Sequence, residues 1–265
     1  MLAEHLPDDC AMHLNAPVSE QSALALEGAL NEAFGYYKYN TATLRITSDG
    51  GQLPALLHML AAMGRWQLLD KIIKTDAVFR ASSAAALLLA HGTIGSRTMA
   101  LHTALLFHHT RIQGGGNGVL TSDAAAQMGT ALFREDKRLV RGLLQHLESG
   151  FSGIAVMAQE GLARCQLIEA GFNVQGRAAT DRKVVKRPKW LTTSSRCFSA
   201  CLAAGDTQPY AGLLMRRFSE DSGMDAREAY ALMLVDRVHD LPLLVPRAAL
   251  EPSNQSALTR PRFVA

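Results

Sequence analysis

Between Thr41 and Gly92 the chain twice runs from a short strand pattern through small residues into an apolar helix, and this alternation narrows the choice of fold more than any other feature. The first unit reads Thr41-Ala42-Thr43-Leu44-Arg45-Ile46-Thr47 as a strand, Ser48-Asp49-Gly50-Gly51 as a tight turn, and Leu53 to Met63 as an amphipathic helix stopped by Gly64. The second unit reads 76–80 as a strand and 83–91 as a helix stopped by Gly92, and a third strand follows at 104–108. Upstream, residues 10–14 form a short strand ended by Asn15-Ala16-Pro17. Ser19 then opens a helix with Leu24, Leu26, Leu30 and Phe34 on one face and Gly35 at its close. Strands that alternate with helices imply an α/β layered fold with a largely parallel sheet and flanking helices. In such sheets ligands bind beyond the carboxyl ends of the strands, which is where Gly50-Gly51, Ser83 and His108 fall.

Composition agrees with that frame and excludes several classes of function. The chain has 265 residues, 48% of them hydrophobic and only 6% aromatic, which suits helices packed closely on a sheet rather than a β-sandwich. A net charge of +3 gives no case for nucleic acid. The local basic cluster Arg182-Lys183-Val184-Val185-Lys186-Arg187-Pro188-Lys189-Trp190 reads as a solvated loop. Cys10, Cys165, Cys197 and Cys201 have no CxxC or metal-ligand spacing, so reduced, buried thiols are expected, with no metal and no cofactor. No apolar run reaches a membrane span and the N-terminus is acidic, so the expectation is a cytoplasmic protein. Further along, Gly114-Gly115-Gly116-Asn117-Gly118 precedes a long helix over about 122–147, residues 151–205 alternate short helical patterns, and the proline-bearing stretch 242–265 reads as a loosely ordered tail.

Serine-based acyl transfer needs a hydroxyl, a histidine to take its proton, a carboxylate to orient the histidine, and N–H donors for the oxyanion. Ser83, where a strand gives way to a helix, supplies the hydroxyl, although a serine at that place also suits a helix cap. His108, at the end of the next strand, supplies the base. Its neighbour His109 competes for the role, but successive strand residues face opposite sides of a sheet. Gly51 and the amide of Ala84 supply oxyanion donors, and Gly50 with Gly51 lets a substrate backbone approach closely.

The order Ile46-Thr47-Ser48-Asp49-Gly50-Gly51, the Ala-Ser-Ser helix ending Leu-Leu-Ala-His-Gly, and Leu105-Leu106-Phe107-His108 resembles the proteolytic subunit of Clp proteases. The 25 positions from Ser83 to His108 match that family's serine-to-histidine separation, which selects Ser83 over Ser82. The segment Asp225-Ala226-Arg227-Glu228-Ala229 to Leu234-Val235-Asp236 resembles the stretch that follows the family's third catalytic member, and so implies Asp221 as the carboxylate, with Asp225 and Glu220 as fallbacks. The chain departs from the family in having Asp49 for a proline, Ala84-Ala85 for Met-Gly, and His109-Thr110 for Gln-Pro.

The resemblance implies a crotonase-like fold in a single domain over 1–241. Its core spans 10–110 and 210–240, its projecting handle helix about 122–147, and an insertion about 151–205. It further implies serine endopeptidase activity on unfolded polypeptides, a homo-oligomeric ring, and an ATP-driven unfoldase partner of the AAA+ type. Two alternatives stand beside it: a crotonase-like enzyme handling acyl-CoA thioesters, and an inactive structural homologue.

Overall fold

The computed structural model describes residues 9–111, 122–178, 188–220 and 223–239. The Gly-rich stretch 114–118, Asp221, the tail from 242 onward and all but the last three residues of the basic cluster lie outside them.

The expected strand–helix alternation is present, and its details follow local chemistry. β1 (Asp9–Leu14) leads to α1 (Glu20–Leu30), which opens at Ser19 with a reciprocal capping box: the Ser22 N–H donates to Ser19 Oγ, and the Ser19 N–H to Ser22 Oγ. Gly35 does not close this helix, which continues through a π-helical turn over Asn31–Tyr36. Leu24 is 55% exposed and not on the buried face with Leu26, Leu30 and Phe34. Residues two apart on a helix point about 200° away from each other, so Leu24 and Leu26 cannot share one stripe. β2 (Thr41–Ser48) feeds the glycine turn and then α2 (Leu53–Gln67). α2 runs through Gly64, which has open space where a Cβ would stand, and the chain turns instead at Asp70, with φ 58°.

β3 (Ile72–Ser82) is longer than expected and delivers the chain directly into α3 (Ala84–Ala90), all seven of whose residues are buried. A strand over Arg97–Ala100 (β4), absent from the sequence reading, precedes β5 (Ala104–Leu106). β4 is only four residues long and begins with Arg97 and Thr98, so it carries no apolar alternation. β5 stops before His108, which lies just past the strand rather than at its end.

The sheet runs β1-β2-β3-β4 and then β7 (Arg237–His239), all parallel, so the α/β class and parallel sheet are present. β3 is long enough to serve two neighbours on one edge: β4 beside Thr75–Ala77, and β5 beside Arg80–Ser82. β5 in turn pairs antiparallel with β6 (Gly223–Met224). The remaining helices are α4 (Ser122–Gly150), α5 (Ile154–Ala178), α6 (Lys189–Ala204), α7 (Gln208–Glu220) and α8 (Ala226–Ala231). The stretch read as short helical patterns thus holds the long helices α5 and α6, packed against each other.

A buried ionic cluster ties these layers together. The Arg97 guanidinium, with no exposed side-chain surface, grips Asp236 at 2.7 and 2.8 Å and also donates to the Ala90 carbonyl at the end of α3. Arg164 of α5 reaches the same carboxylate at 3.2 Å and donates to the Val235 carbonyl at 2.7 Å. Burial opposes the charged form of Asp236, but the hydrogen bonds and charges of Arg97, with Arg164, overcome it and hold the carboxyl down at about 2. Cys165, Cys197 and Cys201 are buried, whereas Cys10 is only partly buried, and burial pushes the Cys197 thiol up to about 12.

Candidate functional site

The site begins with a strained residue. Ser83 sits between β3 and α3 at φ 55° and ψ −123°, a region that a residue with a Cβ rarely occupies, because the strand must turn into the helix with no loop between them. Its N–H is fixed by the Leu106 carbonyl at 2.7 Å, continuing the β3–β5 ladder in which Ser82 pairs with Leu106. Its hydroxyl makes no capping hydrogen bond, and among the described residues it has no hydrogen-bond partner. The helix-cap alternative for this serine is therefore not what the side chain does; Ser82 ends the strand.

The glycine turn presses directly on this elbow. A Cβ on Gly50, whose φ is 93°, would lie 2.5 Å from the Ser82 carbonyl oxygen, 2.6 Å from Ser83 Cβ and 3.0 Å from the Ala84 nitrogen. Only glycine permits that approach. The turn is also laced to Val18: the Val18 N–H donates to the Gly50 carbonyl and the Gln52 N–H to the Val18 carbonyl, each at 2.8 Å. The Gly50 N–H donates to Ser48 Oγ at 3.2 Å, and Ser48 in turn donates to the Ala16 carbonyl at 2.7 Å. No acceptor is found for the Gly51 N–H among the described residues. Asp49, half of an exposed ion pair with Arg80 at 2.8 Å, links the turn to β3 two residues before the end of that strand.

Gly50 therefore lies against Ser83 and Ala84, whereas a Cβ on Gly51 would meet the Val18 backbone. His108 follows β5 just past Leu106, anchored by Phe107, which is buried with its ring 5.1 Å from that of Phe218. The His108 Nδ1–H donates to the His109 carbonyl at 2.7 Å, which leaves Nε2 as the ring acceptor. Among the described residues no hydrogen bond joins His108 to Ser83, and no carboxylate contacts the His108 ring. Asp221 lies outside the described residues. Its fallbacks are engaged elsewhere: Asp225 caps α8 by accepting the Glu228 N–H at 2.8 Å, and Glu220 pairs with Arg217. Glu228, also paired with Arg217 at 2.7 Å, is buried enough that desolvation outweighs this cation and raises its carboxyl to about 7.

The sequence reading missed Asp136. This residue of α4 is 1% exposed and accepts three hydrogen bonds: from His109 Nδ1 at 2.6 Å, the Thr110 N–H at 2.9 Å and Thr110 Oγ1 at 2.7 Å. Its signal lay in the pattern, since Asp136 stands on the same helical stripe as the buried Leu139, Val140, Leu143 and Leu147. A carboxylate on an apolar face is costly unless partners are waiting for it.

Among the described residues no group of three or more His, Cys, Asp or Glu side chains is arranged to hold a metal ion, and no helix is long and apolar enough to cross a membrane. No family model matches the chain. A segment of 84 residues, 32% of the chain, is 43% identical to the ATP-dependent Clp protease proteolytic subunit 4 of Rhodococcus jostii (strain RHA1) and spans 40% of that protein's length. Over that segment the chain is similar to a proteolytic subunit of a Clp protease.

Proposed function

We propose that the chain is a Clp-like serine endopeptidase that cleaves unfolded polypeptides with Ser83 as nucleophile, His108 as base and Asp221 as the orienting carboxylate. The observation that carries this reading is the Ser83 elbow: a strained residue with an unengaged hydroxyl, between the amides of Ala84 and the Gly50-Gly51 turn. Backbone strain of this kind costs about 1–3 kcal/mol and persists where the surrounding structure enforces it, commonly at functional sites.

In this mechanism Ser83 Oγ attacks the peptide carbonyl carbon while its proton passes to His108 Nε2, and the new oxyanion accepts from the Gly51 and Ala84 N–H groups. His108 then gives that proton to the departing amine as the C–N bond breaks, leaving an ester on Ser83. Water, deprotonated by the same ring, hydrolyses the ester and restores the hydroxyl. Asp221 is supported by the sequence resemblance of the segment Asp225 to Asp236 to the stretch that follows the family's third catalytic member, and β6, which begins at Gly223, pairs with the end of β5. A cytoplasmic homo-oligomeric ring fed by an ATP-driven unfoldase is part of the same proposal; the ATP-driven partner draws support from the ATP-dependent protease of the similar subunit, and the ring from the sequence resemblance.

The test is labelling with a serine-directed fluorophosphonate. An adduct on Ser83 that is lost in His108→Ala is expected; an unlabelled Ser83, or labelling indifferent to His108, counts against the reading. The missing Ser83–His108 hydrogen bond favours a second reading, a catalytically silent structural homologue, which the same unlabelled outcome would select.

A further inference from the structure

We infer that Asp136, on the long helix α4, is a positioning residue that fixes the tautomer of His108 through the peptide bond between His109 and Thr110. The inference rests on the proposed role of His108. The His109 carbonyl and the Thr110 N–H belong to one planar peptide group. On one side of that plane the N–H donates to Asp136 Oδ1 at 2.9 Å; on the other, the carbonyl accepts the His108 Nδ1–H at 2.7 Å. The chain of contacts therefore runs from carboxylate to peptide to imidazole without a break. Each hydrogen bond in such a series polarises the next, so a carboxylate behind the amide makes its carbonyl a better acceptor for the imidazole proton.

Two further contacts stop the plane from turning. Thr110 Oγ1 donates to Asp136 Oδ1 at 2.7 Å, and His109 Nδ1 donates to Oδ2 at 2.6 Å, so the residues flanking the peptide bond are both pinned to the same buried group. A rotation of the peptide plane that would withdraw the carbonyl from His108 Nδ1 breaks at least one bond to a desolvated carboxylate. His109, the competitor for the catalytic role, thereby acquires a different one: its side chain braces the strut. The arrangement requires an N–H at position 110, which a proline there would lack. The Nδ1–H that Asp221 would orient in the proposed mechanism is thus held by the His109 carbonyl in this structure, for the same tautomer, and Nε2 is left as the acceptor that a serine proton needs.

The test compares Asp136→Asn, Thr110→Val and Thr110→Pro in the full-length chain, following peptide hydrolysis and the ¹⁵N spectrum of selectively labelled histidine, with His108 assigned by its loss in His108→Gln. Asp136→Asn is expected to lower kcat about tenfold to a hundredfold, with KM within about twofold, as losses of an orienting partner do. It should also erase the single-tautomer signature of His108. Thr110→Val keeps the peptide N–H and should retain that signature, whereas Thr110→Pro should lose it; the Thr110→Pro spectrum decides the matter should Asp136→Asn fail to fold. An Asp136→Asn or Thr110→Pro protein that is folded and keeps the His108 tautomer overturns the inference. A wild-type chain that takes no fluorophosphonate label defeats the peptidase reading separately, because the tautomer spectrum needs no turnover.

Discussion

Ser83 holds a conformation that glycine would hold at less cost, and this sets stability against chemistry at one position. Ser83→Gly is expected to raise unfolding stability by about 1 kcal/mol relative to Ser83→Ala while abolishing labelling, because it relieves the positive φ at the elbow. Paired urea melts of the two variants measure it; a glycine variant no more stable than the alanine one would show that the elbow carries no strain. Gly50→Ala is expected to act in the opposite direction, costing about 1–3 kcal/mol because its Cβ meets the Ser82 carbonyl and Ser83 Cβ at 2.5 and 2.6 Å. It should also cut the fluorophosphonate rate at Ser83. The strands, glycine turn and helix start that carry Gly50, Gly51 and Ser83 were legible in the sequence because they are short-range signals. Asp136 was not legible as part of the site: its partners are 26 and 27 positions away, and no local pattern says which loop a buried helical carboxylate will meet.

At the scale of elements, the same limit explains which parts of the fold could be read. The parallel strands β1, β2 and β3 announced themselves by composition and by turns at their ends. β4, short and polar at its start, is a strand because β3 lies beside it and Asp236 neutralises Arg97. The contact between α3 and α4 was equally hidden. His91, at the end of α3, stacks on His146 of α4 with ring centroids 5.1 Å apart, and the His146 ring donates to the Gly92 carbonyl at 2.9 Å. Desolvation, with His146 close by, holds His91 down at about 3, against an ordinary value of 6.5. The folded state therefore resists a proton that the unfolded chain accepts. Stability should be intact above pH 6.5 and decline as the pH falls from 6.5 towards about 3. Urea midpoints across that range should fall less steeply in His91→Gln than in the wild type; parallel curves would remove the pair as the cause.

For the whole molecule, the anion at Asp236 joins the sheet, the end of α3 and the helix α5. Two guanidinium groups depend on it, so Asp236→Asn leaves Arg97 and Arg164 buried beside a neutral amide. The expected cost is about 3–5 kcal/mol by equilibrium unfolding. A loss under about 1 kcal/mol would mean that water or another anion takes its place. The order of synthesis gives this cluster a further consequence. Arg97 and its carboxylate are separated by 139 positions, so at ordinary translation rates the cation waits roughly 7 to 28 s for its counter-charge. Throughout that interval the end of α3, behind the elbow carrying Ser83, remains unclamped. The nascent chain is thus kept immature until nearly all of its described core has been made.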